Sequence, residues 1–246
     1  ISEIIPDIPL GASPPEIAGD IYRVIRESCG VEDPFRSAKE KHIGFALDLL
    51  PELRRIAATA SDPLMEAVRI SVAGNVIDSG ANPDFNIEEL LGEIKKQDFS
   101  VFDYNSFKED LMNAETVLFI GDNAGETVFD RVLLERINGR VFYVVREKPI
   151  INDATIRDAR MSGVDEDAKV ISSGCDAPGT ILKTCSDEFI HLFKESDIII
   201  SKGQGNYETL SDANRVLYFL LKIKCPVIAD DIGVTSGSYV LKRKET

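Results

Sequence analysis

Loops rich in glycine and in metal- or phosphate-binding side chains recur along this 246-residue chain. Asp122, Asn123 and Glu126 lie in one such loop, and Asp153 lies in the next. Asp122, Asn123 and Asp153 offer two charged oxygens and one neutral oxygen, which leaves positions on an octahedral cation for water and substrate. Because oxygen ligands without His or Cys suit Mg or Mn better than Zn, this set predicts a hard divalent cation.

The later loops supply groups that can hold a phosphate. Lys202, Gly203 and Gly205 lie in one loop, and Lys224 lies in the last. Backbone amides at glycines and helix starts bind anions, and a lysine adds positive charge. These loops are therefore predicted to bind a phosphate group beside the cation.

The elements that carry these loops alternate between strand-like apolar runs and helical patterns. This alternation predicts βαβ units, hence an α/β fold with a mainly parallel, doubly wound sheet, whose strand carboxyl ends meet at one edge. The last two runs are too close for a crossover helix, so one of them is predicted to be antiparallel. The predicted strands are Val117–Ile120, Val141–Val145, Lys169–Ile171, Asp197–Ile200, Val216–Leu221 and Pro226–Ala229, and the predicted helices are 127–137, 154–161, 180–195 and 207–213.

Apolar residues at helical spacing dominate the first part of the chain. The pattern predicts one helix ending near Gly30, a second opening at Asp33–Pro34, and a third running from Leu64 to Ile77. The stretch 80–105 is turn-rich and polar, with a short helix predicted at 87–94. We therefore predict an N-terminal helical subdomain and connector over 1–105 and an α/β metal- and phosphate-binding domain over 106–246.

The third predicted helix contains Gly74 and Asn75, which both weaken a helix. In one interpretation Gly74 allows close helix packing and Asn75 is simply hydrogen-bonded. In the other, Asn75 and Asp78 face the site and bind substrate. Single loop residues have similar alternatives, since Asp153 could be a helix N-cap and Asp122 a turn residue.

The composition of the chain argues against several classes of binding partner. A net charge of −14 and a pI near 4.7 argue against nucleic acid, which needs a basic surface. Four cysteines without a C-x-x-C pair and two histidines argue against structural zinc. No apolar run approaches the about 20 residues that span a bilayer, and no signal peptide is evident, so we expect a cytoplasmic protein without a membrane partner. The first residue is Ile rather than Met, so we expect the natural N-terminus to lie upstream.

The sequence does not contain the motifs of three other kinds of phosphate-binding protein. A phosphatase of the haloacid-dehalogenase type needs a second aspartate two residues after the strand-end aspartate, where this chain has Ala124. No P-loop occurs, and the dinucleotide signature fails because position 208 is Glu. Asp122 is therefore interpreted as a metal ligand rather than a nucleophile.

Five motifs, in order and with fitting spacing, give the chain a family resemblance. They are Ala73-Gly-Asn-Val-Ile-Asp78, Gly121-Asp-Asn-Ala-Gly-Glu126, Arg146-x-x-Pro149-x-x-Asn152-Asp153-Ala-Thr155, Ser201-Lys-Gly-Gln-Gly-Asn-Tyr-Glu208 and Lys224-Cys-Pro226. From Asp33 to Leu241 the chain resembles the damage-control phosphatases, formerly catalogued as protein of unknown function 89, in their stand-alone prokaryotic form. The resemblance implies a metal-dependent phosphatase acting on small phosphometabolites, such as sugar phosphates or phosphopantetheine-like compounds.

The resemblance also implies roles for single residues. It places a divalent cation (Mg, Mn, Co or Ni) on Asp122, Asn123 and Asp153. The late phosphate-binding lysine of the family matches Lys224, with Lys222 as the nearby rival. Members of the family tend to begin with a Cys-containing helix, and this chain has no C-x-x-C there.

These residues suggest a mechanism. The cation would polarise a phosphoryl oxygen and lower the pKa of a bound water, and Glu126 or Asp153 would accept the proton. Lys224 and Lys202 would offset the charge on the phosphoryl group. The predicted substrate-binding residues are Asn75, Asp78, Arg146, Asn152, Lys202, Gly203, Gly205 and Asn206.

Two other functions stay open. A strand followed by an acidic glycine loop also occurs in methyltransferases that use S-adenosylmethionine, although G-x-G-x-G is missing here. A non-enzymatic protein that binds a metal or metabolite could keep the same site, and metal-dependent turnover separates it from a phosphatase. The pattern does not specify an oligomeric state.

Overall fold

The computed structural model describes residues 11–75, 92, 94 and 98–246. Three helices follow one another in the first of these ranges, and strands alternate with helices in the last. The strands are β1 (Phe99–Phe102), β2 (Thr116–Ile120), β3 (Arg140–Val145), β4 (Lys169–Ser172), β5 (Ile198–Lys202), β6 (Leu217–Lys222) and β7 (Tyr239–Lys244). The helices are α1 (Pro14–Cys29), α2 (Arg36–Thr59), α3 (Pro63–Ala73), α4 (Tyr104–Asn113), α5 (Glu126–Leu134), α6 (Ile156–Met161), α7 (Asp187–Glu195), α8 (Gln204–Leu210) and α9 (Pro226–Ile232).

The described strands form one sheet in the order β1-β7-β6-β5-β2-β3-β4. The strands from β6 to β4 pair in parallel, whereas β7 is antiparallel to β6 and parallel to β1. The chain runs from β2 out to β4 on one side and from β5 out to β6 on the other. The strand order therefore reverses between β2 and β5, where open α/β sheets bind ligands. The predicted mainly parallel, doubly wound sheet is confirmed.

Both faces of the central strand β2 are buried. Side chains alternate between the two faces of a strand, so successive residues of β2 enter different cores. Val117 and Phe119 pack into a core that includes residues of α2, α3, α4 and α5. Leu118 and Ile120 pack into a second core with residues of α7, α8 and α9. Burial on both faces explains why β2 is a continuous apolar run rather than an alternating one.

Local sequence signals set the ends of the N-terminal helices. α1 begins with a capping box of Ser13 and Glu16 and ends at Gly30, whose φ of 63° suits glycine. α3 begins after Asp62, whose carboxylate accepts a hydrogen bond from Met65 N. α2 and α3 pack on α5, so these helices reach the loop that precedes α5.

The strand prediction is wrong at two places. Pro226–Ala229 was predicted as a strand but opens α9, because a proline fits the first helical turn, where its missing N–H is not needed. The antiparallel partner of β6 is β7 instead. β1 lies in the stretch predicted as a connector, and its four partly buried or exposed residues give a weak apolar signal.

The predicted helix 180–195 is shorter in the structure. Leu182–Thr184 forms a separate 3-10 turn, and α7 begins only after Ser186, which caps it. Residues 76–77 of the predicted third helix, Asp78 and most of the predicted helix 87–94 lie outside the described residues. The division of the chain at residue 105 stays a prediction. Within the described ranges, no helix is both long and apolar enough to cross a membrane.

Candidate active site

The loops that follow β2 and β5 meet where the strand order reverses. The two strands pair in parallel, with Ile120 opposite Ser201. A Cβ on Gly203 would lie 1.9 Å from Asp122 Oδ2, so only a glycine leaves room for this carboxylate. The φ of Gly203 is +80°, a conformation that glycine adopts without strain.

Backbone hydrogen bonds join the loop after β2 to the loop after β3. Asn123 and Asp153 form an antiparallel bridge, and Ala154 N donates to Asp122 O at 2.8 Å. These contacts bring the three predicted metal ligands, Asp122, Asn123 and Asp153, to one place at the carboxyl edge of the sheet.

Arg146 connects these loops to two others. Its buried guanidinium donates from Nε to Asp153 Oδ2 at 2.8 Å and from Nη1 to Thr180 Oγ1 at 3.0 Å. Its Nη2 donates to Asn206 Oδ1 at 3.0 Å and lies 3.9 Å from Asp122 Oδ1. One planar group thus fixes the predicted ligand Asp153 and neighbours Asp122.

Glu126 is fully buried at the start of α5. Its Oε1 accepts a hydrogen bond from Asn123 Nδ2 at 2.7 Å. Its Oε2 accepts from Asn75 Nδ2 at 3.0 Å and from Lys202 Nζ at 3.3 Å. Both carboxylate oxygens are therefore engaged by side chains of the protein.

Lys202 is fully buried and faces α3 and α5. Besides Glu126, its ammonium binds Asp130 Oδ1 at 2.6 Å and the carbonyl oxygen of Ser71 at 2.9 Å. Asp130 also accepts hydrogen bonds from Ser71 Oγ at 2.6 Å and Tyr143 OH at 2.7 Å. All three ammonium protons thus have partners inside the protein.

The charges of this region do not balance. Burial and the charge of Asp153 raise the pKa of Asp122 to about 7, although Arg146 opposes the rise. Burial also raises the pKa of Glu126 to about 7, against the effect of Lys202. These shifts are typical of buried carboxylates that lack enough positive charge. The carboxylates are Asp122, Glu126, Asp130 and Asp153, and the buried cations are Arg146 and Lys202.

The predicted ligand set fits a divalent cation. Four carboxylates against two buried cations leave excess negative charge, which a divalent ion held by Asp122, Asn123 and Asp153 would offset. Among the described residues, no group of three or more His, Cys, Asp or Glu is arranged to hold a metal. The predicted set is of another kind, because one of its members is an amide.

Comparison with known proteins gives the family of the chain. The family model described as "Damage-control phosphatase ARMT1-like domain" matches residues 1–240. The chain belongs to the damage-control phosphatase family. A damage-control phosphatase of Pyrococcus horikoshii is 37% identical over 239 residues, which cover 94% of this chain and 82% of that protein.

Two further comparisons give relatives of similar identity and coverage. An uncharacterized protein of Methanocaldococcus jannaschii is 38% identical over 255 residues, which cover 98% of this chain and 84% of that protein. The crystal structure of a DUF89 family protein from Pyrococcus horikoshii superposes with a TM-score of 0.84 at 36% identity, covering 92% of this chain and 81% of that one.

In this member of the damage-control phosphatase family, the two late lysines have different surroundings. Lys222 Nζ lies over the ring of Tyr239, 5.2 Å from its centre. Lys224 is exposed, and its charge opposes the rise in the pKa of Asp122, so it acts on the predicted metal site. The backbone N of Lys224 donates to Gln204 Oε1 at 3.0 Å, which ties the last loop to the loop after β5.

The end of α3 packs tightly against α5, as the packing interpretation of Gly74 predicted. A Cβ on Gly74 would lie 3.2 Å from Glu126 Cα. Asn75 is buried and hydrogen-bonded to Glu126, so it lies beneath the loop that carries Asn123. Asp78, the other predicted substrate-binding residue of this segment, lies outside the described residues.

The remaining predicted substrate-binding residues support the loops through backbone contacts. Asn152 is half-buried, and its carbonyl oxygen accepts a hydrogen bond from Ala124 N at 2.8 Å. A Cβ on Gly205 would lie 1.9 Å from Pro178 O. Asn206 donates from Nδ2 to Lys202 O at 2.8 Å.

Asp130, Tyr143 and Thr180 contribute to the site but belong to none of the motifs. Asp130 gives one usable signal, because it lies one helical turn after Glu126 among apolar residues of α5. A carboxylate on a buried helix face needs a cation partner. That requirement points to a buried Lys or Arg, which the structure shows to be Lys202.

Proposed function

We propose that the chain is a phosphatase that removes phosphate from small phosphorylated metabolites with a divalent cation held by Asp122, Asn123 and Asp153. The observation that carries the proposal is the excess negative charge at the point where the strand order reverses. The related damage-control phosphatase of Pyrococcus horikoshii supports phosphate removal.

The donor set accepts several ions. Mg, Mn, Co and Ni all bind carboxylate and amide oxygens. When bound, the cation would polarise a phosphoryl oxygen and lower the pKa of a water ligand.

The residues of the chain have distinct tasks in this proposal. Arg146 occupies Oδ2 of Asp153, which leaves the other oxygen for the cation site. Lys224 offsets the negative charge of the phosphoryl group, because its side chain is exposed and its charge lowers the pKa of Asp122. Glu126 does not accept the proton of the attacking water, since both of its oxygens are engaged.

The test is phosphate release from a panel of sugar phosphates and phosphopantetheine-like compounds. The protein is first stripped with a chelator, and Mg, Mn, Co or Ni is then added back. We expect metal-restored hydrolysis that Asp122→Ala abolishes and that Asp20→Asn, a change at an exposed carboxylate, leaves intact. Metal binding without hydrolysis of any compound would favour a non-enzymatic metal- or metabolite-binding protein.

A further inference from the structure

The amide of Asn123 has one favoured orientation. Its Nδ2 donates to Glu126 Oε1 at 2.7 Å and lies 3.3 Å from Asp122 Oδ2. Turning the amide over would place its oxygen against two carboxylates, which repel it. The carbonyl oxygen of Asn123 therefore faces away from Glu126.

Glu126 is itself held from the opposite side. Its Oε2 accepts hydrogen bonds from Asn75 and Lys202, and its side chain is fully buried on the first turn of α5. A side chain fixed by a helix and by two donors has little freedom to turn. Glu126 thus presents Oε1 to Asn123 in one position.

The lysine in this arrangement is fixed as well. Lys202 is bound by Asp130 at 2.6 Å, and Asp130 is bound in turn by Ser71 and Tyr143. These residues come from α3, α5, β3 and β5, so rigid elements hold each member. The contacts form a continuous path from Tyr143 to Asn123.

We infer that Glu126 is a positioning residue rather than a proton acceptor, and that the path Asp130–Lys202–Glu126 turns the carbonyl oxygen of Asn123 toward the cation. The inference rests on the proposed function, because it takes the cation to lie at Asp122, Asn123 and Asp153. It also gives Lys202 a role inside the protein in place of direct contact with phosphate.

The sharpest experiment exchanges donor and acceptor between positions 123 and 126. In Glu126→Gln the new amide keeps its oxygen toward Asn75 and Lys202, so its NH₂ meets the NH₂ of Asn123 and turns that amide over. Combining Glu126→Gln with Asn123→Asp restores the hydrogen bond with reversed polarity and keeps the total charge. A carboxylate at position 123 has an oxygen on either side, so the cation again meets oxygen.

The measurements are Mn²⁺ affinity by calorimetry on the metal-free protein, Tm, and phosphate release with Mn²⁺. We expect Glu126→Gln to weaken Mn²⁺ binding by about 10- to 100-fold, the range for residues that orient a ligand. The double variant should regain most of the affinity and release phosphate. Glu135→Gln, the same change at the other end of α5, should bind Mn²⁺ as the unaltered protein does.

Three results would overturn the inference. They are unchanged Mn²⁺ affinity in Glu126→Gln, a double variant that binds no better than this single variant, and a double variant that binds Mn²⁺ but releases no phosphate. The last result would show that a carboxylate at position 126 takes part in the reaction. If the double variant fails to fold, the Mn²⁺ affinity of Glu126→Gln alone decides, because Asn123→Asp also places a carboxylate oxygen near Asp122 Oδ2, which lies 3.3 Å from Asn123 Nδ2. Failure of the proposed function is recognised separately, because the unaltered protein would then not bind Mn²⁺ or not release phosphate.

Discussion

Asp122 Oδ2 occupies the space where a side chain at position 203 would begin, 1.9 Å from the Cβ that Gly203 lacks. Gly203→Ala must therefore displace either the Asp122 carboxylate or the loop after β5. We expect a loss of phosphate release of at least about 100-fold, the size of effect that follows a misplacement of about 1 Å. Steady-state kinetics with added Mn²⁺ measure this loss.

Gly233→Ala is the matched control for Gly203→Ala. Gly233 has a similar φ of +82°, but nothing lies within 4 Å of its missing Cβ. Its replacement introduces the same backbone strain without the contact and should lower only stability. Equal losses of activity in both variants would show that strain, rather than the Asp122 contact, is responsible.

The two late lysines are expected to differ in their effect on catalysis. Lys224→Gln should lower kcat/KM by about 100-fold, because removing a charge-stabilising group from an active site costs about 3 kcal/mol. Lys222→Gln should change it little, since Lys222 contacts Tyr239. Steady-state assays of both variants make the comparison, and the opposite ranking would assign the phosphate-binding role to Lys222.

Arg146→Lys should destabilise the protein although it keeps the charge. A lysine cannot reach Asp153, Thr180 and Asn206 together from one side chain. We expect a loss of about 3 kcal/mol in the free energy of unfolding, as for other broken buried ion pairs. Urea titration measures it, and Arg157→Lys at an exposed ion pair should stay within about 1 kcal/mol of the unaltered protein.

We predict that Asp62 makes the free energy of unfolding depend on pH in the acid range. Although burial opposes the shift, hydrogen bonds from Lys108 and Tyr104 lower the pKa of Asp62 to about 2. An unfolded aspartate has a pKa of about 3.9, so the unfolded chain takes up the proton first as the pH falls. The stabilisation is complete above about pH 4 and is lost progressively toward pH 2.

The variant Asp62→Asn tests this pH dependence while keeping a side chain that can cap α3. The difference in unfolding free energy between Asp62→Asn and the unaltered protein should shrink as the pH falls from about 4 to 2. Asp48→Asn, at an exposed position of α2, serves as the control. A constant difference across this pH range would mean that the charge of Asp62 contributes nothing.

The sequence predicts the α/β fold and the meeting of the loops because both follow from periodicity. Runs such as Val117–Ile120 fix the strands, and parallel strands bring Asp122 and Asp153 to one edge. The sequence pattern misplaces the antiparallel strand, because Pro226–Ala229 is apolar enough for a strand and too short for periodicity to decide. The roles of the site residues in binding and catalysis stay predictions.

The direction of the Lys202 side chain is something that the motif alone does not give. As part of a glycine loop, Lys202 was predicted to bind substrate. Side chains alternate along a strand, so Lys202 shares a face with Ile198 and Ile200, and that face is covered by α3 and α5. Whether Lys202 faces the helices or the substrate depends on whether it belongs to the strand or to the loop that follows. Sequence patterns locate such boundaries poorly.

The pairing of β1 with β7 bears on how the protein folds as it is synthesised. Among the described strands, β1 joins the sheet through β7, with Phe99 opposite Tyr239. On the ribosome, β1 must wait for a partner that lies much later in the chain, and closing so long a loop is slow. The strands from β2 to β6 need no such wait. The candidate active site between β2 and β5 is thus expected to form in the nascent chain before β1 is joined to the rest of the sheet.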